Sequence, residues 1–336
     1  MKSKPSITVV GATGVVGRTM LQILEQRAFP VGELTLLASQ RSAGSRLSLG
    51  AAEYVVQDLA RFDFAGVDIA LFSAGAAVSK QYAPKAVAAG CTVIDNTSQF
   101  RGDPDVPLVV PEVNPEALTG GKQPGIIANP NCSTIQMVVA LKPLHDAAGI
   151  QRVNVATYQA VSGSGQQGID ELTRQATQLA QGKAAEANLY PRQIAYNLIP
   201  QIDVFTNNGY TKEEMKMVAE TKKIFGDDRI LVNPTAVRVP VANGHSEVLH
   251  IETRTKLSAE KATELLRQAA GVQVYSGTDY PTPAEVTGSD AVHVGRIRED
   301  ITSPNGLNLW VVADNLHKGA ALNSVQIAEL LLATVL

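Results

Sequence analysis

A short apolar strand, Ile7-Thr-Val-Val10, runs straight into Gly11-Ala-Thr-Gly-Val-Val-Gly17, and a helix follows to about Arg27. No other stretch restricts the fold as much. The glycines allow a tight turn and a close approach of backbone to a pyrophosphate, while the helix N-terminus faces the anion. Val16, Met20, Ile23 and Leu24 can form the inner face of that helix. The spacing is G-x-x-G-x-x-G rather than G-x-G-x-x-G, so the pattern takes its meaning from its strand–turn–helix context. A tight turn with no ligand is the alternative.

The next segments extend the same theme. Leu34–Ala38 reads as a second strand. An NAD-specific fold ends this strand with an acidic residue that holds the ribose hydroxyls. Here it is followed by Ser39-Gln-Arg-Ser-Ala-Gly44. Hydroxyls at Ser39 and Ser42 with the Arg41 guanidinium suit a 2′-phosphate, so the reading is NADP; a solvated loop charge is the alternative for Arg41. Val67–Ala74 is a third strand ending in small residues, followed by a helix through Ala89. Cys91 opens a fourth apolar strand and reads as core. Asn96–Arg101 is a polar loop, and Pro107–Val113 an extended, buried piece. Strands alternating with helices predict a Rossmann-type doubly wound parallel sheet.

That pattern closes on Asn129-Pro-Asn-Cys-Ser-Thr134, preceded by the apolar run Gly125–Ala128 between Pro124 and Pro130. Ser133 to Ala148 reads as a helix, capped or begun by Asn131, Cys132 or Ser133. A thiol there sees backbone N–H groups and the positive end of the helix dipole, which favour thiolate. On this stretch alone, a small buried cysteine filling a strand–helix junction is the simpler reading.

After Gly149 the pattern changes. Arg152–Val161 reads as strand and runs into Ser162-Gly-Ser-Gly165, a turn able to approach a ligand. A helix is expected over 168–182, irregular chain over 183–211, and a helix over 211–225 with a capping box, Thr211-Lys-Glu-Glu214. Strands at 230–239, 246–256, 291–298 and 307–312, with a helix near 258–270, predict a second α+β domain on a mixed sheet. A closing helix over 318–336 returns to the first domain. The expected division is 1–130 with 318–336 for the NADP-binding domain, and 131–317 for a catalytic and dimerisation domain.

The 336 residues carry a net charge of −3, which offers no surface for nucleic acid or an anionic membrane. Two cysteines, Cys91 and Cys132, make neither a disulfide framework nor a metal cluster. The amino end runs directly into a strand, without room for a signal peptide. No apolar run has bilayer length. A reducing cytoplasm is the expected home.

Chemistry-bearing residues lie outside the glycine turn. His245, in Val241-Ala-Asn-Gly-His-Ser246, sits in a turn entering a strand and is the best acid/base candidate among five histidines. A distant Cys–His pair is a recurring way to activate a thiol. His145 lies about three turns along the cysteine's helix, too far to serve it. Arg238 lies among apolar residues in an extended segment, where a fork suits a carboxylate or phosphate. Arg101 ends a loop. Glu220 and Lys223 fit an ordinary i,i+3 ion pair. Together with a dinucleotide fold, these residues suggest a thiolate that forms a thioester, with a nicotinamide hydride passing at its carbonyl carbon. His245, Arg238 and the cofactor motif turn Cys132 from a filler into a nucleophile.

The chain resembles the bacterial aspartate-β-semialdehyde dehydrogenases nearly end to end. The shared motifs are GATGVVG at 11–17, SQRSAG at 39–44, NTSQFR at 96–101, VPEVNPEAL at 110–118, NPNCSTIQ at 129–136, TYQAVSGSG at 157–165, ETKKIFGD at 220–227, RVPVANGHSE at 238–247 and WVVADNLHKGAA at 310–321. The resemblance implies reduction of β-aspartyl phosphate by NADPH to aspartate semialdehyde, with release of phosphate. It makes Cys132 the nucleophile, His245 the acid/base and Gln159 the residue that positions the acyl group. Arg238 would hold the α-carboxylate, Glu220 the amino group, and Arg101 and Lys223 the phosphate, with Asn131 orienting the substrate. Thr13, Gly14, Val15, Ser39, Arg41 and Ser42 match NADP positions; Ser162, Gly163 and Asn315 would lie near the nicotinamide. A homodimer or dimer of dimers is implied. His317 stands where arginine is usual. The nearest rival is an N-acetylglutamyl-phosphate reductase, against which the Glu220–Arg238 clamp argues; the other is a non-catalytic NADP-binding protein.

Overall fold

The computed structural model describes residues 3–118 and 125–333. Pro124 and the last three positions of the expected closing helix lie outside them. Contacts divide the chain into two compact units, Met1–Asn131 with Ala320–Leu336, and Cys132–Gly319.

The first unit contains β1 (Ile7–Val10), α1 (Val15–Gln26), β2 (Leu34–Ala38), β3 (Arg46–Leu49), β4 (Ala52–Val55), β5 (Gln57–Asp58), β6 (Ile69–Phe72), α2 (Ala76–Ala88), β7 (Thr92–Asp95) and β8 (Ile126–Ala128). The second contains α3 (Cys132–Ala148), β9 (Ile150–Gln159), α4 (Gln166–Ala180), α5 (Lys212–Phe225), β10 (Leu231–Arg238), β11 (His245–Thr253), α6 (Ala259–Gln268), β12 (Val272–Val274), α7 (Pro283–Val286), β13 (Val292–Glu299) and β14 (Gly306–Ala313). A π-turn, His317–Ala321, leads into α8 (Leu322–Ala333), which belongs to the first unit.

In the first unit the strand order is β5-β2-β1-β6-β7-β8, with every pairing parallel. Strands β1, β6 and β7 are buried at every residue. That is the signature of a parallel sheet covered on both faces. One face packs on α1 and α8 through Met20, Ile23, Leu24, Leu322 and Val325; the other packs Phe72 and Val93 against Ala83 and Ala86 of α2. Arg27 on α1 pairs with Glu329 on α8 at 2.7 Å. The chain goes one way from β1 to β2 and the other way to β6. The β1/β6 gap is therefore the switch point, outside whose carboxyl ends such sheets bind ligands.

In the second unit the order is β10-β9-β11-β14-β13-β12. The outer pairs β10/β9 and β12/β13 are parallel and the inner ones antiparallel, so the sheet is mixed. The central helix α3 buries Ile135, Met137, Val138, Val139 and Leu141. Arg238 pairs with Gln159, Ser246 with Tyr158, and His245 with Ala313. Arg238, Gln159 and His245 therefore end three adjacent strands in one row.

Three local features add to the sequence reading. Pro107–Val113 is buried at Leu108, Val109, Val110 and Val113, and it meets the sheet through an isolated bridge, Leu108 to Ala128. Asn114 takes over beyond it: its carboxamide accepts from Val110 N and donates to Leu108 O, both at 2.9 Å. Pro111 has no N–H to offer a ladder. The closing helix is present from its expected start, but its first residues, His317–Ala321, are wound as a π-helix before α8 begins at Leu322. The β3–β4 hairpin and β12 went unread; the exposed pattern of β3 and β4 carries no clean core face.

Candidate active site

In the first unit, the glycine turn brings backbone together where side chains would collide. A Cβ on Gly17 would lie 2.3 Å from Gly11 O, and Gly11 itself has φ +89 with the Ala74 backbone 3.0 Å from its would-be Cβ. Helix α1 is thus pressed onto the β1 turn. Gly14 precedes it without a side-chain cap, and its first turn carries no acid. These N–H groups are free to meet an anion. Beside them lies a cavity of about 580 Å³ whose wall includes Gly11, Thr13, Gly14, Ser39, Arg41 and Ser42. Val15, the first residue of α1, is not on that wall. Asp58 is on it, but its carboxylate accepts from Ala60 N at 3.1 Å. A bare turn for pyrophosphate, with Arg41 and two serine hydroxyls at the end of β2, fits NADP.

Also in this unit, the Arg101 guanidinium donates to Asn129 O at 2.8 Å and Asn96 O at 3.0 Å. It is held against the segment that leads into the cysteine. Asn129 is fixed in turn by Asn96 Oδ1 at 2.6 Å and by Asn323 Nδ2 at 2.7 Å. Asn131 is buried.

The two cysteines of the sequence differ sharply. Cys132 is the first residue of α3 and is partly exposed. Cys91, in the first unit, is buried, and burial followed by the Asp68 charge pushes its thiol up to about 12. Gly319 gives Cys132 its room: a Cβ there would lie 2.9 Å from Cys132 Cβ and 3.6 Å from Asn315 Cβ.

Asn315 connects this corner to the histidine loop. Its Oδ1 accepts from Gly244 N at 2.9 Å and from Ser162 Oγ at 3.1 Å. Asp314 Oδ2 accepts from Asn243 Nδ2 and from Gly288 N, both at 2.8 Å. His245 follows, fully buried. Its Nδ1 accepts from Ala160 N at 3.1 Å, and its Nε2 has no protein partner. Burial, then the neighbouring Arg238 charge, holds its pKa well below the usual 6.5. The imidazole is therefore neutral near pH 7, and the acceptor role of Nδ1 puts the proton on Nε2.

Arg238 Nη1 donates to Ala160 O at 2.6 Å, while its Nε is buried without a partner. The guanidinium lies 5.9 Å from the Tyr190 ring centroid. Both groups surround the bare Cα of Gly163: a methyl there would sit 2.9 Å from Arg238 Nη1 and 3.4 Å from His245 Nε2. The bonded Nη1 of Arg238 and the unpartnered Nε2 of His245 thus both face this glycine. Gln159, between them in the row of strand ends, donates from Nε2 to Glu213 Oε1 at 3.1 Å. Glu213 lies in the first turn of helix α5, which also carries buried Glu220 and half-buried Lys223.

Sequence reading missed Glu213, Thr157, Asn243, Asp314 and Gly319. It also missed Glu247, two residues beyond His245 on the same strand face and fully buried. Burial holds the Glu247 carboxyl well above its usual 4.5, and the Gln136 amide offsets part of this without full hydrogen-bond geometry. Only the capping box, Thr211 with Glu214, was readable locally, and it is present. His145 stacks on Phe225 and accepts from Ile150 N, away from any site role. His317 lies 3.3 Å from Asp290. Among the described residues no cluster could hold a metal ion.

A Rossmann-type unit with this cradle and a mixed-sheet α+β unit in one chain define an NADP-dependent oxidoreductase. Family models give the same division: residues 6–120 match the semialdehyde dehydrogenase NAD binding domain, and 141–318 the semialdehyde dehydrogenase dimerisation domain. The chain belongs to the aspartate-semialdehyde dehydrogenase family. It is 58% identical to the aspartate-semialdehyde dehydrogenase of Shewanella violacea, covering 99% of both chains. Aspartate semialdehyde dehydrogenase II of Vibrio cholerae, solved with ASA, superposes with a TM-score of 0.97 at 56% identity over 99% of each chain. The Candida albicans enzyme solved with NADP gives 0.77 at 29% identity over 98% of each.

Proposed function

We propose that this chain reduces β-aspartyl phosphate to aspartate semialdehyde with NADPH, through a thioester on Cys132, in the synthesis of lysine, threonine, methionine and diaminopimelate. The observation that carries the reading is the pair of unpartnered polar atoms, His245 Nε2 and Arg238 Nε, held in the unit that begins at Cys132.

At the start of α3, backbone N–H groups and the helix dipole favour the thiolate of Cys132. Its sulfur attacks the β-carbonyl carbon. An S–C bond forms, the C–O bond to phosphate breaks, and phosphate leaves with the electron pair, taking its proton from solvent. Arg101 and Lys223 bind the phosphate. Arg238 holds the α-carboxylate, Glu220 pairs with the ammonium, Asn131 orients the substrate, and Gln159 positions the acyl group. His245 is restricted by its tautomer. With Nδ1 accepting from Ala160 and Nε2 carrying hydrogen, it donates to the developing oxyanion rather than taking the thiol proton. When bound, NADPH supplies hydride to the carbonyl carbon. Breaking the S–C bond then returns the Cys132 thiolate and releases the aldehyde.

In the cofactor half, Thr13, Gly14 and Val15 would hold pyrophosphate, and Ser39, Arg41 and Ser42 the 2′-phosphate. Ser162, Gly163 and Asn315 would flank the nicotinamide. The unit 132–319 serves as catalytic and dimerisation domain. Its outward sheet face exposes Tyr158, whose ring lies 5.9 Å from that of Trp310, and this supports a homodimer or a dimer of dimers. Among the described residues no helix is long and apolar enough to cross a membrane. The only two cysteines, Cys91 and Cys132, form no disulfide, which suits a reducing, cytoplasmic setting.

The test is a phosphate-dependent assay with NADP and two aldehydes. Aspartate semialdehyde should be oxidised, and N-acetylglutamate semialdehyde should not. Cys132→Ser should abolish turnover and keep cofactor binding. Full activity after alkylation of Cys132 would refute the thioester route.

A further inference from the structure

Gln159 is not a free side chain. Its Nε2 donates to Glu213 Oε1 at 3.1 Å, and its Oε1 accepts from Thr157 Oγ1 at 3.1 Å. All three residues are at most 5% exposed. An ionised carboxylate can only accept, so the glutamine must turn its NH2 group toward Glu213. The hydroxyl of Thr157 then donates to the remaining oxygen. A flip of the amide would set its oxygen against the carboxylate oxygen of Glu213 and lose that bond.

The helix cap is provided by the neighbour of Glu213: Glu214 completes the capping box and accepts from Ala236 N at 2.9 Å, fastening α5 to β10. A buried carboxylate needs a partner to remain charged. Lys216 supplies it, 3.1 Å from Glu213 Oε2 and also 3.1 Å from Asp203. Burial works against the Lys216 charge, but Glu213 and then Asp203 outweigh it and raise its pKa. Glu213 also shares one buried stripe of α5 with Met217, Glu220 and Ile224. It therefore joins strand β9 to the helix that bears Glu220 and Lys223.

We propose that Glu213 is a positioning residue for acyl transfer and reduction: with Thr157 it fixes the Gln159 amide in one orientation, leaving one N–H for the acyl group. The proposal rests on the reading of Gln159 given above. Locking a side chain with three rotatable bonds before substrate arrives removes an ordering cost from the reaction itself.

Steady-state kinetics in the reductive direction test this, with a melting temperature for every variant to establish folding. Glu213→Leu should lower kcat by roughly 10- to 100-fold, with KM for the acyl phosphate changed less than about 3-fold. Glu213→Gln, which keeps an acceptor oxygen on the same frame, should recover most of that loss. In a Gln159→Ala background, Glu213→Leu should cost no more than about 2-fold further. Equal losses in both backgrounds, or a wild-type kcat for Glu213→Leu, would overturn the proposal while leaving the role of Gln159 intact. A fully active Gln159→Ala variant would overturn both. Should Glu213→Leu fail to fold, Thr157→Val takes its place: a loss that vanishes in the Gln159→Ala background supports the proposal, and a wild-type kcat overturns it.

Discussion

The backbone N–H of Ala160 donates to Nδ1 of His245 at 3.1 Å, and this one bond decides which way the imidazole can work. It leaves the proton on Nε2 in the neutral ring. His245→Ala should lower kcat by about 10²- to 10³-fold, the cost of losing an oxyanion donor. Because burial and Arg238 hold the ring's pKa well below 6.5, kcat/KM should show no inflection from this group near 6.5. The pH profile of the wild type, compared with His245→Ala, checks this.

The same shift has a consequence for stability. Below the usual 6.5 the unfolded chain takes up a proton at this position before the folded one does. Stability contributed by the neutral ring is therefore present above 6.5 and is lost as pH falls toward the folded value. Glu247 has the opposite sense. Its carboxyl is held well above 4.5, so from 4.5 upward the unfolded chain loses a proton that the folded chain keeps, and stability falls as pH rises. Glu247→Gln should thus stabilise progressively with pH above 4.5 and change little at pH 4. Denaturant midpoints across that range measure it.

Gly163 separates two functional groups by having no side chain. A methyl would sit 2.9 Å from Arg238 Nη1, which is itself held to Ala160 O at 2.6 Å, so the guanidinium cannot move without losing that bond. Gly163→Ala should reduce kcat/KM by roughly 10- to 100-fold while the melting temperature stays near that of the wild type. Circular dichroism melts beside kinetics separate the two effects.

Gly17 should behave differently. Its Cβ would lie 2.3 Å from Gly11 O and 2.8 Å from Ala12 Cα, both backbone, so helix α1 itself must shift. Gly17→Ala should destabilise the protein by about 1–3 kcal/mol and weaken NADP binding. Arg41→Ala, on the exposed wall of the same cavity, should leave stability unchanged and narrow the preference for NADPH over NADH by about 10-fold or more. Calorimetric titration with each nucleotide checks both.

What the sequence made readable follows from range. The β1 turn, the helix start at Cys132 and the capping box of Thr211 and Glu214 are each set by residues within a few positions, and each is present. The hairpin at Arg46–Val55 was lost because its strands alternate only weakly and lie exposed. Pro107–Val113 reads as an extended, buried piece from its apolar residues, but the bonds that Asn114 makes to Val110 N and Leu108 O have no local signal. Nothing local joins Gln159 to Glu213, 54 positions away, or Asn243 to Asp314, 71 away. These partners exist only once the mixed sheet has set its register. Cys132 at a helix start, His245 in a glycine turn and Arg238 among apolar residues are each legible locally; the tautomer of His245 and the anchoring of Gln159 have no signal in the sequence.

The central claim is a covalent acyl group on Cys132. Enzyme mixed with β-aspartyl phosphate in the absence of NADPH, quenched in acid and digested, should yield the peptide bearing Cys132 with the mass of an added β-aspartyl group. Addition of NADPH before the quench should discharge it. An unmodified Cys132 peptide from enzyme that turns over normally, or the acyl group on another residue, would contradict the account.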